Sequence, residues 1–426
     1  MKYFTITILL LITSKINSQN KETVQWINQH LIEIEDANPD STLENFIANI
    51  PDKFQNAKIF GFGEATHHGK EFFTIKTKFF KYLVLKMNVK AFLMEESYPA
   101  ESGINEWITG GKGNPETIAT NFSIVPWRTK EVVNLLKWMR SYNLNKSKNE
   151  QIQFYGIDIQ YVGGINKKIR DFVKKHKIKI NENLLSAVDR CVDKKVDYNA
   201  STDWADRNIP ELEKVKKIIW GSQSDSSSET KDILRALDYL MGYTFYVQNH
   251  KSQIRDLKMF ENAKYIIDNL TTNGKAFIWA HNEHINNLEM LSYGSGWTNL
   301  GARLKKQYKD KYYSVGFDFG IGNLRGYVAE KNKPNHWEVY SLRQPYKKTY
   351  SATLFEADND IYFISLNQAK DDSIDFFDKK EKQLILGAPG YNPKNYHLIK
   401  KRFSEMYDGL IFIKKISVPD YNLDRV

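Results

Sequence analysis

Polar side chains that can exchange protons follow five short apolar segments of this 426-residue chain, at the point where each segment ends. Short apolar runs are typical of buried strands, and ligands of parallel α/β sheets bind beyond the carboxyl ends of the strands. Because burying an unpaired charge is costly, we predict that these groups converge on one sheet edge. The alternative is that each residue is an independent cap or turn residue. The residues are Glu64, Glu95 with Glu96, Asp158, His281 and Asp318.

The first motif covers residues 61–71 and reads GFGEATHHGKE. Glu64, His67 and Glu71 are three and four residues apart, so we predict that they share one face of a helix that continues to about Met87. A carboxylate beside an imidazole orients the ring and supports its protonated form, which suits a general base. We therefore predict that His67 is the base and that Glu64 or Glu71 orients it. The motif matches neither a dinucleotide fingerprint nor a phosphate loop.

The second motif covers residues 279–284 and reads WAHNEH. His281 and His284 can share a face just after a strand, and two hypotheses remain open. They bind a metal together with His67 and a carboxylate, or they position the substrate and stabilise charge around His67. The chain has neither the H-E-x-x-H motif of metalloproteases nor the G-x-S-x-G motif of serine hydrolases. Arg255, near the start of the preceding helix, could pair with the strand-end carboxylates or form a surface ion pair.

Seven apolar runs are predicted to form the strands that position these residues. Helical patterns separate them, as in Phe72, Ile75 and Phe79. This alternation predicts an α/β fold with a mostly parallel central sheet flanked by helices. Residues from about 165 to 269 lack a strand pattern and predict a helical insertion beside the sheet. The predicted strands are residues 58–63, 91–95, 152–157, 275–280, 312–317, 360–366 and 409–413.

The composition excludes several classes of protein. The chain is 41% hydrophobic and can bury a core, so neither a disordered chain nor a coiled coil is expected. Its formal net charge of +10 comes from 61 basic and 51 acidic residues that are interspersed, which predicts a basic surface and no nucleic-acid partner. The single cysteine, Cys191, excludes an intrachain disulfide framework and a cysteine-rich zinc module.

The amino terminus has the order of a secretory signal. Lys2 precedes an apolar run over residues 3–13, and small and polar residues follow. The run is shorter than the roughly 20 residues that a membrane span needs. We therefore predict a signal peptide over residues 1–18, export to the periplasm or the medium, no membrane span, and one domain over residues 19–426.

Taken together, the motifs resemble the erythromycin esterase family. The resemblance is carried in chain order by residues 63–67 (GEATH), 71–73 (EFF), Glu96, 156–159 (GIDI) and 280–284 (AHNEH), and it spans nearly the whole chain after the signal. It implies a central sheet flanked by helices, with a helical subdomain covering the cleft. The best-known members of the family hydrolyse the macrolactone ester of 14-membered macrolides and are regarded as metal-independent.

The resemblance also implies roles for individual residues. The family's general base corresponds to His67, and its essential acid in the same motif corresponds to Glu64. The second-strand acid corresponds to Glu96. The paired histidines correspond to His281 and His284. Known macrolide esterases carry arginine where this chain has Lys76, which keeps the charge but lacks the planar, bidentate guanidinium.

We therefore expect a monomeric hydrolase that opens a cyclic ester, such as the lactone of erythromycin, with water that His67 activates. The alternatives are a metal-dependent hydrolase of another substrate and an exported protein that binds haem or another ligand. The expected partners are a small-molecule substrate and water, without a metal or cofactor. The expected catalytic residues are His67, Glu64 and His284, and the expected substrate-binding residues are Glu71, Lys76, Glu96, Asp158, Arg255 and His281.

Overall fold

The computed structural model describes residues 21–193, 203–222, 227–249, 251–288, 296–328, 332–386 and 397–421. The expected signal peptide at residues 1–18 lies outside them. The chain divides into two compact units. The first contains residues 1–89, 129–135 and 275–426, and the second contains residues 90–128 and 136–274. The insertion predicted at residues 165–269 therefore belongs to the second unit, together with the two strands that directly precede it.

The first unit contains a mixed sheet whose centre is parallel. Its strands are β1 (Ile32–Glu33), β2 (Ile59–Phe62), β5 (Ala276–Trp279), β6 (Tyr312–Val328), β7 (His336–Leu342), β8 (Ile361–Ser365) and β11 (Gly409–Ile416). The order is β1-β8-β11-β6-β2-β5, and β7 pairs with β6. The pairs β11–β6, β6–β2 and β2–β5 are parallel, whereas β1–β8, β8–β11 and β6–β7 are antiparallel. A separate antiparallel pair joins β9 (Glu381–Leu384) to β10 (Leu398–Lys401).

The second unit contains two parallel strands, β3 (Ala91–Ser97) and β4 (Gln153–Asp158), together with many helices. Its apolar core is built largely from helices and includes Ile169, Leu212, Leu237 and the single cysteine, Cys191. Each of these side chains is almost fully buried. Within residues 165–269, the described part of the chain forms helices and no strand, as the sequence predicted.

The helices follow the apolar periodicity of the sequence. In the helix Lys70–Met87, Phe72, Phe79 and Leu83 recur on one face and are fully buried. Phe79 packs with its ring centroid 5.2 Å from that of Phe62 on β2. Residues 21–30 are helical, and the other helices are Glu44–Ala48, Asp52–Asn56, Lys70–Met87, Ala100–Ile108, Pro115–Ile118, Lys130–Asn143, Ile165–Lys175, Glu182–Leu185, Ala187–Asp193, Trp204–Ser222, Ser228–Asn249, Ser252–Asn269, Asn282–Ile285, Leu300–Tyr308, Tyr350–Leu354, Leu366–Asp371, Asp375–Asp378 and Phe403–Met406 among the described residues.

The structure confirms the α/β fold with a mostly parallel sheet flanked by helices, and each of the seven predicted strands is present. The strands β1, β7, β9 and β10 were not predicted from the sequence, and β6 runs eleven residues beyond its predicted end at residue 317. The single domain and the placement of the helical insertion over a cleft stay predictions. Among the described residues, no helix is both long and apolar enough to span a bilayer.

Candidate active site

A chain of three polar side chains lies just after β2 in the first unit. Glu64 accepts a hydrogen bond from Nδ1 of His67 with one carboxylate oxygen and one from Nζ of Lys76 with the other. The side chains of Glu64 and Lys76 are 0% exposed, whereas that of His67 is 14% exposed. Of these three hydrogen-bonded side chains, only that of His67 is therefore accessible to a substrate.

The backbone that carries Glu64 and His67 differs from the expectation. The helix begins at Lys70, so both residues lie in the connection between β2 and the helix. The prediction that Glu64, His67 and Glu71 share one helical face is therefore wrong. A turn brings Glu64 and His67 together, while Lys76 approaches from the second turn of the helix.

The surroundings of Glu64 favour its ionised form. Burial alone would raise the pKa of this carboxyl, but the charge of Lys76 and the hydrogen bond from His67 outweigh burial and lower the pKa from its ordinary value. An ionised Glu64 requires His67 to carry a proton on Nδ1. Nε2 is consequently the ring nitrogen through which His67 can take up a proton.

The second histidine motif forms a short helix, Asn282–Ile285, directly after β5, and it is tied to the Glu64 segment. The backbone N–H of Asn282 donates to the carbonyl of Glu64 at 3.0 Å. The Asn282 side chain exchanges two hydrogen bonds with the backbone of Phe317 on β6, at 2.6 and 3.0 Å. Asn282 therefore links the ends of β2 and β5 to β6.

Gly63 permits this approach because it lacks a side chain. A Cβ added there would lie 2.0 Å from Oδ1 of Asn282, which is closer than any real contact. The glycine at the end of β2 is therefore a condition for the link between the two histidine motifs.

Both ring nitrogens of His281 contact the main chain. Nδ1 lies 3.2 Å from the backbone N of Glu283, and Nε2 lies 2.7 Å from the carbonyl oxygen of Leu386. The ring also packs against His67, with centroids 5.1 Å apart and planes at 65°. His281 thus joins the first histidine motif to the segment that follows β9.

His284 and Glu283 complete this short helix. The side chain of His284 is buried, and its backbone N–H donates to the carbonyl of His281 at 2.9 Å. Glu283 forms a buried ion pair with Lys401 of β10. Burial lowers the pKa of Lys401, although the charge of Glu283 opposes this shift.

Glu71 and His68 lie near the motif but bind other partners. Both carboxylate oxygens of Glu71 accept hydrogen bonds from Ser417, one from its backbone N–H at 2.7 Å and one from its hydroxyl at 2.6 Å. Glu64, and not Glu71, is therefore the carboxylate hydrogen-bonded to His67. His68 is buried and hydrogen-bonded to Tyr421, as expected of a packing residue.

Three of the predicted charged residues meet in the second unit. Arg255 donates to both carboxylate oxygens of Asp158, at 2.9 and 2.7 Å, and to Glu95 at 2.7 Å. Asp158 is fully buried and Glu95 nearly so. The pairing of Arg255 with strand-end carboxylates is thus present, whereas a surface ion pair is not formed.

Glu96 also lies in the second unit and has a different environment. Its carboxylate accepts hydrogen bonds from the backbone N–H groups of Ser97 and Ile124, at 2.6 and 3.1 Å, and from the hydroxyl of Ser123. Burial raises its pKa to about 7, the charge of Asp158 adds to the rise, and the hydrogen bonds oppose it. Glu96 can therefore exchange a proton near neutral pH.

Asp318 lies inside β6 in the first unit, where it pairs with Phe412 of the parallel strand β11. One carboxylate oxygen accepts a hydrogen bond from the backbone N–H of Phe319 at 2.9 Å, and the other, Oδ2, is buried without a hydrogen-bond partner. Burial raises its pKa to about 7, although the charge of Lys401 and a contact with Gln383 oppose the rise. A protonated Asp318 can satisfy Oδ2 by donating a hydrogen bond.

The described residues contain no group of three or more His, Cys, Asp or Glu side chains arranged to hold a metal ion. Several of the residues that shape the site were missed in the sequence. Asn282 stands inside the second motif, but its spacing gives no sign of its role as a link. Lys401 lies 118 residues from its partner Glu283, and Leu386 lies 105 residues from its partner His281.

Comparisons with known proteins give a consistent result. The profile of one family, described as erythromycin esterase, matches residues 84–416. A relative from Escherichia coli, erythromycin esterase type II, is 23% identical over 75% of this chain and 83% of its own length. The family match begins after Lys76, so it does not cover Glu64, His67 or Lys76.

Two solved structures share the fold. A Bacillus cereus protein superposes with a TM-score of 0.82 at 22% identity, covering 95% of this chain and 99% of its own. A mutant of the erythromycin esterase EreC in its open conformation superposes with a TM-score of 0.65 at 13% identity, covering 91% of this chain and 98% of its own.

Proposed function

The chain belongs to the erythromycin esterase family, and from this premise we propose that it opens a cyclic ester with a water molecule activated by His67. The family supports a hydrolase that acts on a small molecule with water. The observation that carries the mechanism is the hydrogen-bonded chain from Lys76 through Glu64 to His67. These hydrogen bonds fix the tautomer and the orientation of His67, a base whose side chain is partly exposed.

The reaction that we propose proceeds through a tetrahedral intermediate. Nε2 of His67 takes a proton from water, and the water oxygen attacks the ester carbonyl carbon. The carbonyl electrons move onto oxygen and then return, which breaks the bond to the ring oxygen. The departing alkoxide takes the proton from Nε2. The product is the open-chain hydroxy acid, heavier by one water than the lactone.

We assign stabilisation of the oxyanion to His284. Lys76 is held between Glu64 and the face of Trp279, where Nζ lies 3.9 Å from the ring centroid. The ring nitrogens of His281 contact the main chain. Because these contacts occupy Lys76 and His281, we propose that both position other groups and that His284 donates to the developing negative charge.

The substrate that we propose is the lactone of a 14-membered macrolide such as erythromycin. Macrolides of this kind carry an amino sugar that is cationic at neutral pH. The acidic residues Glu95, Glu96 and Asp158 are candidates for binding this sugar, and Arg255 forms ion pairs with Glu95 and Asp158. Glu71 is bound to Ser417 and is not assigned to the substrate.

Mass spectrometry of erythromycin after incubation with the purified protein tests this proposal. The wild type is expected to yield a product that is one water heavier, and His67→Ala is expected to lose most of the turnover, roughly 100-fold or more. Absence of turnover of any macrolide by the wild type would exclude the substrate. Activity retained by His67→Ala would exclude the mechanism.

The two alternative functions are separated by other measurements on the same preparation. A metal-dependent hydrolase would contain a stoichiometric metal and lose activity with a chelator. A haem-binding protein would show a shifted visible absorption band on addition of haem. Neither result is expected if His67 acts with water alone.

A further inference from the structure

The strand pair β9–β10, with the residues that continue from β9, contacts both histidine motifs. The backbone N–H of Leu386 donates to the carbonyl of Ala65, at 3.3 Å, in the connection that carries Glu64 and His67. The carbonyl of the same Leu386 contacts His281. Lys401, at the end of β10, forms the buried ion pair with Glu283. One element thus contacts both turns that carry the histidines.

The main-chain partners of His281 determine where its proton lies. A backbone N–H can only donate, so Nδ1 of His281 must accept from Glu283. A backbone carbonyl can only accept, so Nε2 must donate to Leu386. His281 is therefore the neutral imidazole with its proton on Nε2. Protonation of Nδ1 would direct a second N–H against the N–H of Glu283.

We propose that His281 is a positioning residue that exchanges no proton during the reaction. The main chain at Glu283 and Leu386 fixes it as the neutral Nε2–H tautomer, and its ring then holds the His284 turn against His67. This inference rests on the proposed function where it concerns turnover, but the tautomer does not depend on the substrate.

The buried ion pair between Glu283 and Lys401 is a second contact that holds the turn carrying His281 and His284. The side chain of Lys401 is 0% exposed and that of Glu283 is 3% exposed, so neither charge is solvated by bulk water. Pairing compensates for this burial and fixes Glu283, which lies between the two histidines. The charged or titratable groups near His281 include His67 and Glu64 on one side and Glu283 with Lys401 on the other, and His284 lies in the same short helix as Glu283.

Nitrogen NMR of the full-length protein tests the tautomer without any substrate. The nine histidines are labelled with ¹⁵N, and the signals of His281 are assigned by their loss in His281→Gln. At neutral pH we expect an unprotonated Nδ1 and a protonated Nε2. A protonated Nδ1, in either the other tautomer or the cation, would overturn the inference.

Two substitutions at His281 separate positioning from proton transfer. The amide nitrogen of glutamine can reach the place of Nε2 and donate to Leu386, whereas asparagine can cap the N–H of Glu283 but is too short to reach Leu386. We expect His281→Asn to lower kcat by roughly 100-fold with little change in KM, because a misplaced catalytic turn has costs of this size. We expect His281→Gln to recover at least a tenth of the wild-type kcat.

The outcomes are distinguishable. If both variants fold and both lose activity to the same extent, glutamine does not replace the ring, and the positioning role is excluded. If the wild type hydrolyses no ester, the proposed function fails, while the NMR experiment still decides the tautomer.

Discussion

At the residue scale, the cation behind Glu64 is a lysine, at a position where the resemblance to macrolide esterases implies arginine. Lys76 is fully buried, binds Glu64 and lies over Trp279. A single ammonium group binds one carboxylate oxygen and leaves the other for His67. The bidentate binding typical of arginine would compete for both oxygens. Lysine at this position is therefore compatible with an orienting role toward His67.

This arrangement predicts graded effects of substitutions at Lys76. Lys76→Met leaves Glu64 buried without its cation, which favours protonation of Glu64 and removes the charge that orients His67. We expect kcat to fall by roughly 100-fold, within the usual contribution of acid–base catalysis. Lys76→Arg keeps the charge and should retain more activity than Lys76→Met. Steady-state kinetics of ester hydrolysis measures both.

The matched control is Lys86→Met, an exposed position on the same helix, which should leave kcat unchanged. Wild-type kcat in a folded Lys76→Met variant would show that His67 does not depend on this lysine.

Some contacts of individual side chains in the candidate site could be predicted from the sequence, and others could not. The pairs Glu64–His67 and Arg255–Asp158 could be expected because polar residues end buried strands, where partners are required. The contacts of His281 could not be expected. Its partner at Leu386 is a backbone carbonyl, which every residue possesses, so no side-chain pattern distinguishes it.

At the element scale, the end of β2 must come very close to the turn that follows β5. Asn282 occupies the space beside Gly63 and links these two strands to β6. The register of the three strands and the position of both histidine motifs therefore depend on Gly63, which has no side chain.

Gly63→Ala tests this dependence. The added methyl group must displace Asn282, and overpacking of this kind costs about 1–3 kcal/mol of unfolding free energy. We expect lower stability in chemical denaturation and a lower kcat, because the His281 turn moves with Asn282. Gly221→Ala is the control, since no atom outside its own helix lies within 4 Å of an added Cβ there, and the helix preference for alanine should raise stability by at most about 1 kcal/mol. Equal stability of the two variants would contradict the close approach.

Strands and helices could be predicted from the sequence where their burial determines which residue types they contain. The strands β2 and β5 are continuous apolar runs because helices cover parallel sheets on both faces. By contrast, β9 (EKQL) and β10 (LIKK) mix charged and apolar residues, and β1 has two residues. Their pairing depends on distant partners, so periodicity alone does not identify them.

At the scale of the whole molecule, the net charge of +10 gives no indication of the candidate site. The basic residues are dispersed, whereas buried acids occur in both units, with Glu64 and Asp318 in the first and Glu96 and Asp158 in the second. The titration of Glu64, Asp318 and Glu96, and not the net charge, should determine how stability varies with pH.

Two of these acids should make the folded protein less stable as the pH rises from about 4 to 7. The pKa values of Asp318 and Glu96 are raised to about 7, above their ordinary values of 3.8 and 4.5. Between these limits the folded state retains protons that the unfolded chain has released, so rising pH favours unfolding. Glu64, whose pKa is lowered, acts in the opposite sense, and its contribution is lost only as the pH falls below about 4.5.

Asp318→Asn isolates one part of this dependence. The amide keeps the acceptor for the N–H of Phe319 and places a neutral donor at the position of Oδ2, so it resembles the protonated acid at every pH. Relative to the wild type, the variant should therefore gain stability between pH 5 and pH 8, by at most roughly 3 kcal/mol, because about two pH units of this interval lie below the raised pKa and each contributes about 1.4 kcal/mol. Chemical denaturation at the two pH values measures this difference, and Asp371→Asn, at an exposed position, should show none. A difference between variant and wild type that is the same at pH 5 and pH 8 would mean that Asp318 is ionised in the folded protein throughout this range, and that Lys401 offsets the cost of its burial.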